Sequence, residues 1–209
     1  MKTVQLRTRK YEDVIEWIPF DRLLDVKEIG KEFGSIYSAT WLDGIRKVEK
    51  INDGIYKRTR EPSSIVTLKT LARSNFDFLK EFKILMTCKI NDSKLAIYGI
   101  TQNTETKEYL MVSQYTNKES LYKNLRNNFC SLKWQTKLEI LKNISGDLYA
   151  IHKFAGYVHA DFHSGNILQD QQSYIADLGL SRKTDEKVLA GEQQITQAAD
   201  IYGFGVIMS

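Results

Sequence analysis

The hydrophobic pattern of this chain changes character near residue 116, and that change limits its fold more than any other feature. Before it, β-branched, aromatic and aliphatic residues gather in short runs of strand length: Leu24 to Ile29, Ser35 to Trp41, Ile65 to Leu71, Leu95 to Thr101 and Tyr109 to Tyr115. One helical pattern interrupts them, from about Ser74 as N-cap to Lys89, with Phe78, Phe82, Leu85 and Met86 on one face. After the change, Leu138, Leu141, Ile144, Leu148 and Ile151 form a stripe that predicts a helix over Leu132 to Phe154. Asp43 to Ser64 is dense in Lys, Arg, Asp and Glu and carries Gly44, Gly54 and Pro62, so it reads as a solvated hairpin excursion. The only prolines are Pro19 and Pro62, and no Ser/Gly-rich linker separates independent domains. Any two lobes are therefore joined by a short ordered connection.

Composition narrows the function classes. With 42% hydrophobic and 27% charged residues over 209 positions, the chain is neither disordered nor collagen-like. It is long enough to bury roughly 70% of its unfolded surface. Thirty Lys and Arg against 26 Asp and Glu leave +4, spread without a basic tract, which argues against a nucleic-acid partner. Cys88 and Cys130 stand far apart with no CxxC spacing, as in a reducing compartment. The first residues lack the apolar stretch of a signal peptide, and the longest apolar run, Ile201 to Met208, is too short to span a bilayer. The expectation is a cytoplasmic protein, with the nucleus left open and no membrane partner.

Chemistry concentrates between Tyr157 and Leu168 and at Ala176-Asp177-Leu178-Gly179. His152, His159 and His163, the only histidines, lie in or just before this stretch. His159, Asp161 and His163 alternate and could share one face of a strand as metal ligands, but a closed zinc site needs a fourth ligand and no further histidine or nearby cysteine exists. The carboxylates and the amide give a better reading. Asp161 stands five residues before Asn166, and Asp177 opens a short turn after the apolar run Tyr174 to Ala176.

This spacing resembles the protein-kinase superfamily: His159-Ala160-Asp161 and Asn166 match its catalytic loop, and Asp177-Leu178-Gly179 its magnesium motif. Val66-Thr67-Leu68-Lys69 resembles the family's lysine-bearing strand, Glu81 falls on the following helix, and Ile29 to Tyr37 is similar to the glycine-rich loop. Ala199 to Gly205 is similar to the start of the helix that anchors the catalytic loop, and the His163-Ser164-Gly165-Asn166 wording is closest to the tyrosine-kinase-like group of serine/threonine kinases. The ordered set runs from about Leu23 to the C-terminus.

The resemblance implies an α+β, bilobal protein-kinase-like fold: an extension over 1–22, a five-stranded antiparallel N-lobe with a helix over 23–115, and an incomplete, mainly helical C-lobe over 116–209. It implies ATP and Mg²⁺ as ligands, with Asp161 orienting the acceptor hydroxyl, Lys69 on the phosphates, Glu81 paired with Lys69, and Asn166 and Asp177 as hard oxygen ligands. Nucleotide contacts fall on Ile29, Gly30, Gly34, Ile36, Thr67, Ser113, Gln114, Thr116 and Leu168. Asp200 is expected to hold the backbone of His159 and Ala160.

The departures shape the expected function as much as the matches. Gly30 and Gly34 are spaced four apart, one residue short of the family's loop, and Glu32 brings a carboxylate into it. Ala160 replaces the arginine that receives a phosphorylated activation segment, so Ser181 and Thr184 read as surface hydroxyls without a switching role. Twenty residues separate Gly179 from Asp200, without an Ala-Pro-Glu motif. The last helix begins near Ala199, and Ile201, Phe204, Val206, Ile207 and Met208 are expected to await a covering partner. Two functions remain: a kinase that transfers the γ-phosphate of ATP to a protein hydroxyl, serine or threonine first, and a catalytically impaired nucleotide-binding pseudokinase or scaffold.

Overall fold

The computed structural model describes residues 11–30, 35–70, 75–90, 95–116, 120–170, 172–184 and 196–209. The chain divides into two compact units, one made of Met1–Phe78 with Leu95–Tyr115 and the other of Leu79–Lys94 with Thr116–Ser209. The fold class is the expected one: a β-sheet unit and a mainly helical unit in an α+β chain.

The first unit holds β1 (Glu16–Trp17), β2 (Leu23–Gly30), β3 (Ile36–Trp41), β4 (Ile45–Asn52), β5 (Ile55–Glu61), β6 (Ser64–Thr70), β7 (Ile97–Gln102) and β8 (Tyr109–Gln114). The five runs read from the sequence become β2, β3, β6, β7 and β8, antiparallel neighbours in a sheet of order β1-β7-β8-β6-β3-β2. Alternation along these strands sends Ala39, Trp41, Val66, Leu68, Leu110 and Val112 to one face, where Ile18 and Leu23 complete a buried core.

The sheet differs from expectation by a sixth strand. β1 comes from the segment read as an extension, and it pairs parallel with β7, Glu16 opposite Gly99 and Trp17 opposite Ile100. Two residues are too few to show a period, so no sequence pattern announces this strand. Gly99 makes room for it, because a Cβ there would lie 2.3 Å from the carbonyl oxygen of Glu16.

The excursion between β3 and β6 is a separate two-stranded ribbon of β4 and β5. Its base turns at Gly44, whose φ of 73° and crowding against Glu61 leave no place for a side chain. The segment around β1 pins it. Glu16 bonds Arg46 at 2.6 Å and Arg60 at 2.7 Å, and the ring of Tyr11 lies within 4.8 Å of the Arg46 guanidinium and 5.2 Å of that of Arg58. Burial works to raise the Glu16 pKa, and the two guanidinium groups outweigh it, so the carboxyl stays below the usual range.

In the second unit, α1 (Asn75–Ile90) supplies its residues from Leu79 onward and is followed by α2 (Leu121–Asn128) and α3 (Trp134–Tyr149). Ser74, expected as the cap of α1, lies outside the described residues. Phe82, Leu85 and Met86 are buried. The expected long helix ends early as α3. The chain continues as a wider π turn over Ala150–Ala155, closed by Gly156 in the left-handed conformation. Its buried stripe is Ile140, Ile144, Leu148 and Ile151, whereas Leu138 is 44% exposed and falls outside it. α2 was absent from the sequence reading because, between its ends, polar Lys123, Asn124, Arg126 and Asn127 leave only Leu121 buried. Four short strands follow: β9 (Tyr157–Val158), β10 (Ile167–Gln169), β11 (Ser173–Ile175) and β12 (Arg182–Lys183), paired β10 with β11 and β9 with β12. Last comes α4 (Gln197–Met208), on which Ile201, Val206 and Met208 are exposed while Phe204 and Ile207 are half-buried.

Substituting Gly99→Ala should unseat β1 at a cost of about 1–3 kcal/mol. The check is amide exchange at Ile18, whose N–H donates to the Ile100 carbonyl at 2.9 Å. Its protection should fall well before that of Val112, in the buried centre of the same sheet.

Candidate functional site

In the second unit, the β10–β11 ribbon sets the positions of two oxygen-bearing residues. Ile167 faces Ile175, and one step beyond them the Ala176 N–H donates to the Asn166 carbonyl at 2.8 Å. Asn166 and the residue after Ala176, Asp177, are thus held at the same end of the ribbon. A second bond comes from α3, where buried Asp147 accepts the Ile175 N–H at 3.0 Å.

Asn166 is buried, and its Nδ2 donates to the Asp161 carbonyl at 2.9 Å and to Asp161 Oδ2 at 3.0 Å. The amide orientation that makes these bonds presents Oδ1 as its oxygen donor. An amide oxygen and the Asp177 carboxylate are the hard ligands a magnesium ion takes beside phosphates, so the donor set fits that ion. Asp177 has φ 61° and Ala160 φ 70°, left-handed values that cost a non-glycine residue about 1–3 kcal/mol and that persist only where surrounding bonds enforce them.

Those bonds are present at Ala160. Asp200, 1% exposed on α4, accepts the His159 N–H at 2.7 Å and the Ala160 N–H at 3.1 Å. A third partner, His152 of the π turn, places Nε2 at 2.7 Å from the same carboxylate. Burial pushes the Asp200 pKa up, the three donors pull it down further, and the carboxyl ends below its ordinary value. Sequence reasoning found the two backbone bonds and missed His152. The seven-residue spacing from His152 to His159 gives no local sign that one of them reaches α4.

His159 is fully buried. Its Nε2 lies 3.1 Å from the Ala176 carbonyl, which can only accept, so Nε2 carries the proton. Nδ1 then accepts the Asp161 N–H at 3.3 Å. Burial is the chief reason its pKa lies below the ordinary value, against the opposing pull of the Ala176 carbonyl and of Asp200, Asp161 and Asp177. One neutral ring therefore links the segment carrying Asp161 to the segment carrying Asp177. The alternating metal triad weighed above does not form on a strand face, because β9 ends at Val158 and both ring nitrogens of His159 are committed to these bonds.

Ser181 corrects the sequence reading. It is fully buried, not a surface hydroxyl, and its Oγ donates to the His159 carbonyl at 3.3 Å. The antiparallel pairing of β12 with β9 brings it there. Thr184 is exposed, with its Oγ1 donating to the Gly156 carbonyl at 2.6 Å.

The other expected ligand contacts are distributed over the sheet and the ribbon. Gly30, Ile36, Lys69 and Met111 are register partners in one row across β2, β3, β6 and β8, and Thr67 faces Ser113 in the next row but one. Thr67 and Lys69 lie on the face opposite Val66 and Leu68, away from the core. Ile29 is 52% exposed, and Ser113 is buried. The Gln114 N–H donates to the Ala96 carbonyl at 2.8 Å. Thr116 belongs to the second unit, Leu168 sits on β10, and Glu81 is buried on α1. Gly34 and Glu32 lie outside the described residues.

Residues 26–194 match the family model described as protein tyrosine and serine/threonine kinase. The chain belongs to the protein kinase superfamily. It is 27% identical to wall-associated receptor kinase-like 3 of Arabidopsis thaliana, over 88% of this chain and 30% of the relative. It is 27% identical to the serine/threonine-protein kinase-like protein CCR4 of the same plant, over 84% of this chain and 26% of the relative. A third Arabidopsis relative, an inactive leucine-rich repeat receptor-like serine/threonine-protein kinase, is 29% identical over 73% of this chain and 27% of its own length. The chain thus spans less than a third of each of these proteins. Among the described residues no helix is long and apolar enough to cross a membrane.

Replacing Asp200 with Ala should cost about 1–3 kcal/mol for each buried donor left without an acceptor, and Asp200→Asn, which keeps one acceptor oxygen, should cost less. Urea midpoints of the two variants check the order. Acid should weaken the wild-type fold through His159. Its folded pKa lies below 6.5, so its contribution is complete above that value and is lost as the pH falls toward the folded one. Asp200, depressed below 3.8, keeps its contribution throughout that window. Urea midpoints should therefore drop as the pH falls below 6.5, and a flat profile there would count against a neutral buried ring.

Proposed function

We propose that the chain is a kinase catalytic module that transfers the γ-phosphoryl group of ATP to a serine or threonine hydroxyl of a protein. The observation that carries this reading is the Asp161 carboxylate fixed by Asn166 at 3.0 Å, at the end of a ribbon that also brings up Asp177. In the transfer, the acceptor oxygen bonds the γ-phosphorus, the bond from that phosphorus to the bridging oxygen breaks, and ADP leaves. The acceptor proton goes to Asp161. Asn166 Oδ1 and the Asp177 carboxylate would hold a magnesium ion, whose chemistry is to neutralise phosphate charge. Lys69 is the phosphate-binding cation of this reading and Glu81 its acidic counterpart. Ile29, Gly30, Gly34, Ile36, Thr67, Ser113, Gln114, Thr116 and Leu168 form the nucleotide contacts.

Free Cys88 and Cys130 support a reducing, cytoplasmic setting. Burial, with Asp147 nearby, pushes the Cys88 thiol up to about 12, so it stays protonated and inert.

A second reading, nucleotide binding without transfer, is favoured by the short spacing from Gly30 to Gly34 and by the likeness to a relative described as inactive. One experiment separates the two. Wild type should transfer labelled γ-phosphate to a general protein substrate, and Asp161→Asn should lower transfer by about a hundredfold or more while ATP affinity holds. Lys69→Ala should weaken ATP binding by about 1.5–3 kcal/mol in calorimetry. Binding without transfer in the wild type selects the second reading.

A further inference from the structure

His163 plays no part in the function just described, yet its imidazole is built into the same loop. The Gly165 N–H donates to His163 Nδ1 at 3.0 Å. Gly165 also makes room for the ring, since a Cβ there would lie 2.7 Å from Cε1 and 2.8 Å from Nδ1. The ring therefore lies against a backbone position that only glycine leaves open. With Nδ1 as acceptor, the neutral ring carries its proton on Nε2. That nitrogen stands 3.6 Å from Asp161 Oδ1, while Asp161 Oδ2 is occupied by Asn166 Nδ2 at 3.0 Å. A separation of 3.6 Å is one small shift from a hydrogen bond. The His163 side chain is 54% exposed and Asp161 28%, at a cavity of about 540 Å³ that both residues line together with Phe162 and Ile207.

We infer that His163 is a positioning residue: its Nε2–H holds Oδ1 of Asp161, so that the carboxylate is clamped between His163 and Asn166 and offers a single orientation to the acceptor hydroxyl. The inference rests on the kinase reading for its consequence, and on the loop geometry alone for the clamp. Gly165 belongs to the device, because it sets both the tautomer and the seat of the ring.

Two amides separate the roles of the ring nitrogens. His163→Asn keeps an acceptor near the Nδ1 position and loses the distal donor, whereas His163→Gln reaches far enough to keep a donor near the Nε2 position. The first measurement needs no activity: side-chain coupling constants of Asp161 report whether its χ1 occupies one rotamer or averages over several. One rotamer is expected in the wild type and in His163→Gln, and averaging in His163→Asn. The second measurement is steady-state transfer, in which His163→Asn should lose kcat by on the order of tenfold to a hundredfold at unchanged KM for ATP. His163→Gln should recover most of that loss. An Asp161 that averages in the wild type, or one that His163→Asn leaves in a single rotamer, overturns the clamp. So does an unchanged kcat in His163→Asn. A wild type that transfers no phosphate overturns the kinase reading instead, and the coupling constants then decide the clamp by themselves.

Discussion

The second unit depends on one buried carboxylate. Asp200 reaches from α4 to the π turn at His152 and to the backbone of His159 and Ala160, three donors from two separate stretches of chain. Removing a carboxylate from water costs several kcal/mol, and it is tolerated only when charge-assisted hydrogen bonds of about 1.5–3 kcal/mol each replace the lost hydration. Three such bonds offset that cost and fix the backbone at the same time. Ala160 is held at a left-handed φ that an alanine would leave if it were free. The next residue is Asp161, so the direction in which its carboxylate leaves the chain follows from bonds made by a residue forty positions away.

The hold continues through hydrogen bonds between side chains and backbone. His159 spans from Asp161 to Ala176, Ser181 closes on the His159 carbonyl, and Asp147 ties β11 to α3. Supporting groups such as His159, Asp200, Asp147 and Ser181 are buried. Asp161, the base of the proposed reaction, is 28% exposed. Solvent access is needed where a substrate must enter, and water exclusion is needed where bonds must hold, so the two kinds of residue separate by depth.

How far the sequence could be read varied with the range of the interaction. Asp161 and Asn166 are five apart, and one short loop closes the bond between them, so the pair was legible once the ordered set of motifs showed the family resemblance. The five long strands were legible because each is a run of at least six residues rich in β-branched, aromatic or aliphatic side chains. β1 was not, because two residues have no period and its place depends on Gly99, more than eighty positions away. Ser181 was expected at the surface because Ala160 stands where a phosphate-binding arginine would, and the return of β12 against β9 buries it instead. Leu138 was placed in a buried stripe that in fact runs through Ile140, since helical spacing fixes which residues share a face and not which face meets a neighbour.

The order of the motifs, the split into strands and helices, and the chemical types at Lys69, Asp161, Asn166 and Asp177 were determined by the sequence itself. Local spacing and hydrophobic period are properties of the chain before it folds. The tautomers of His159 and His163, the depth of Ser181, the sixth strand and the threefold hold of Asp200 were decided by the tertiary structure. The depth of Ser181, the sixth strand and the hold of Asp200 depend on partners from distant stretches of chain, and such contacts leave no periodic trace in the sequence. The tautomers depend on which way each ring turns toward a nearby backbone N–H, and spacing alone does not give that.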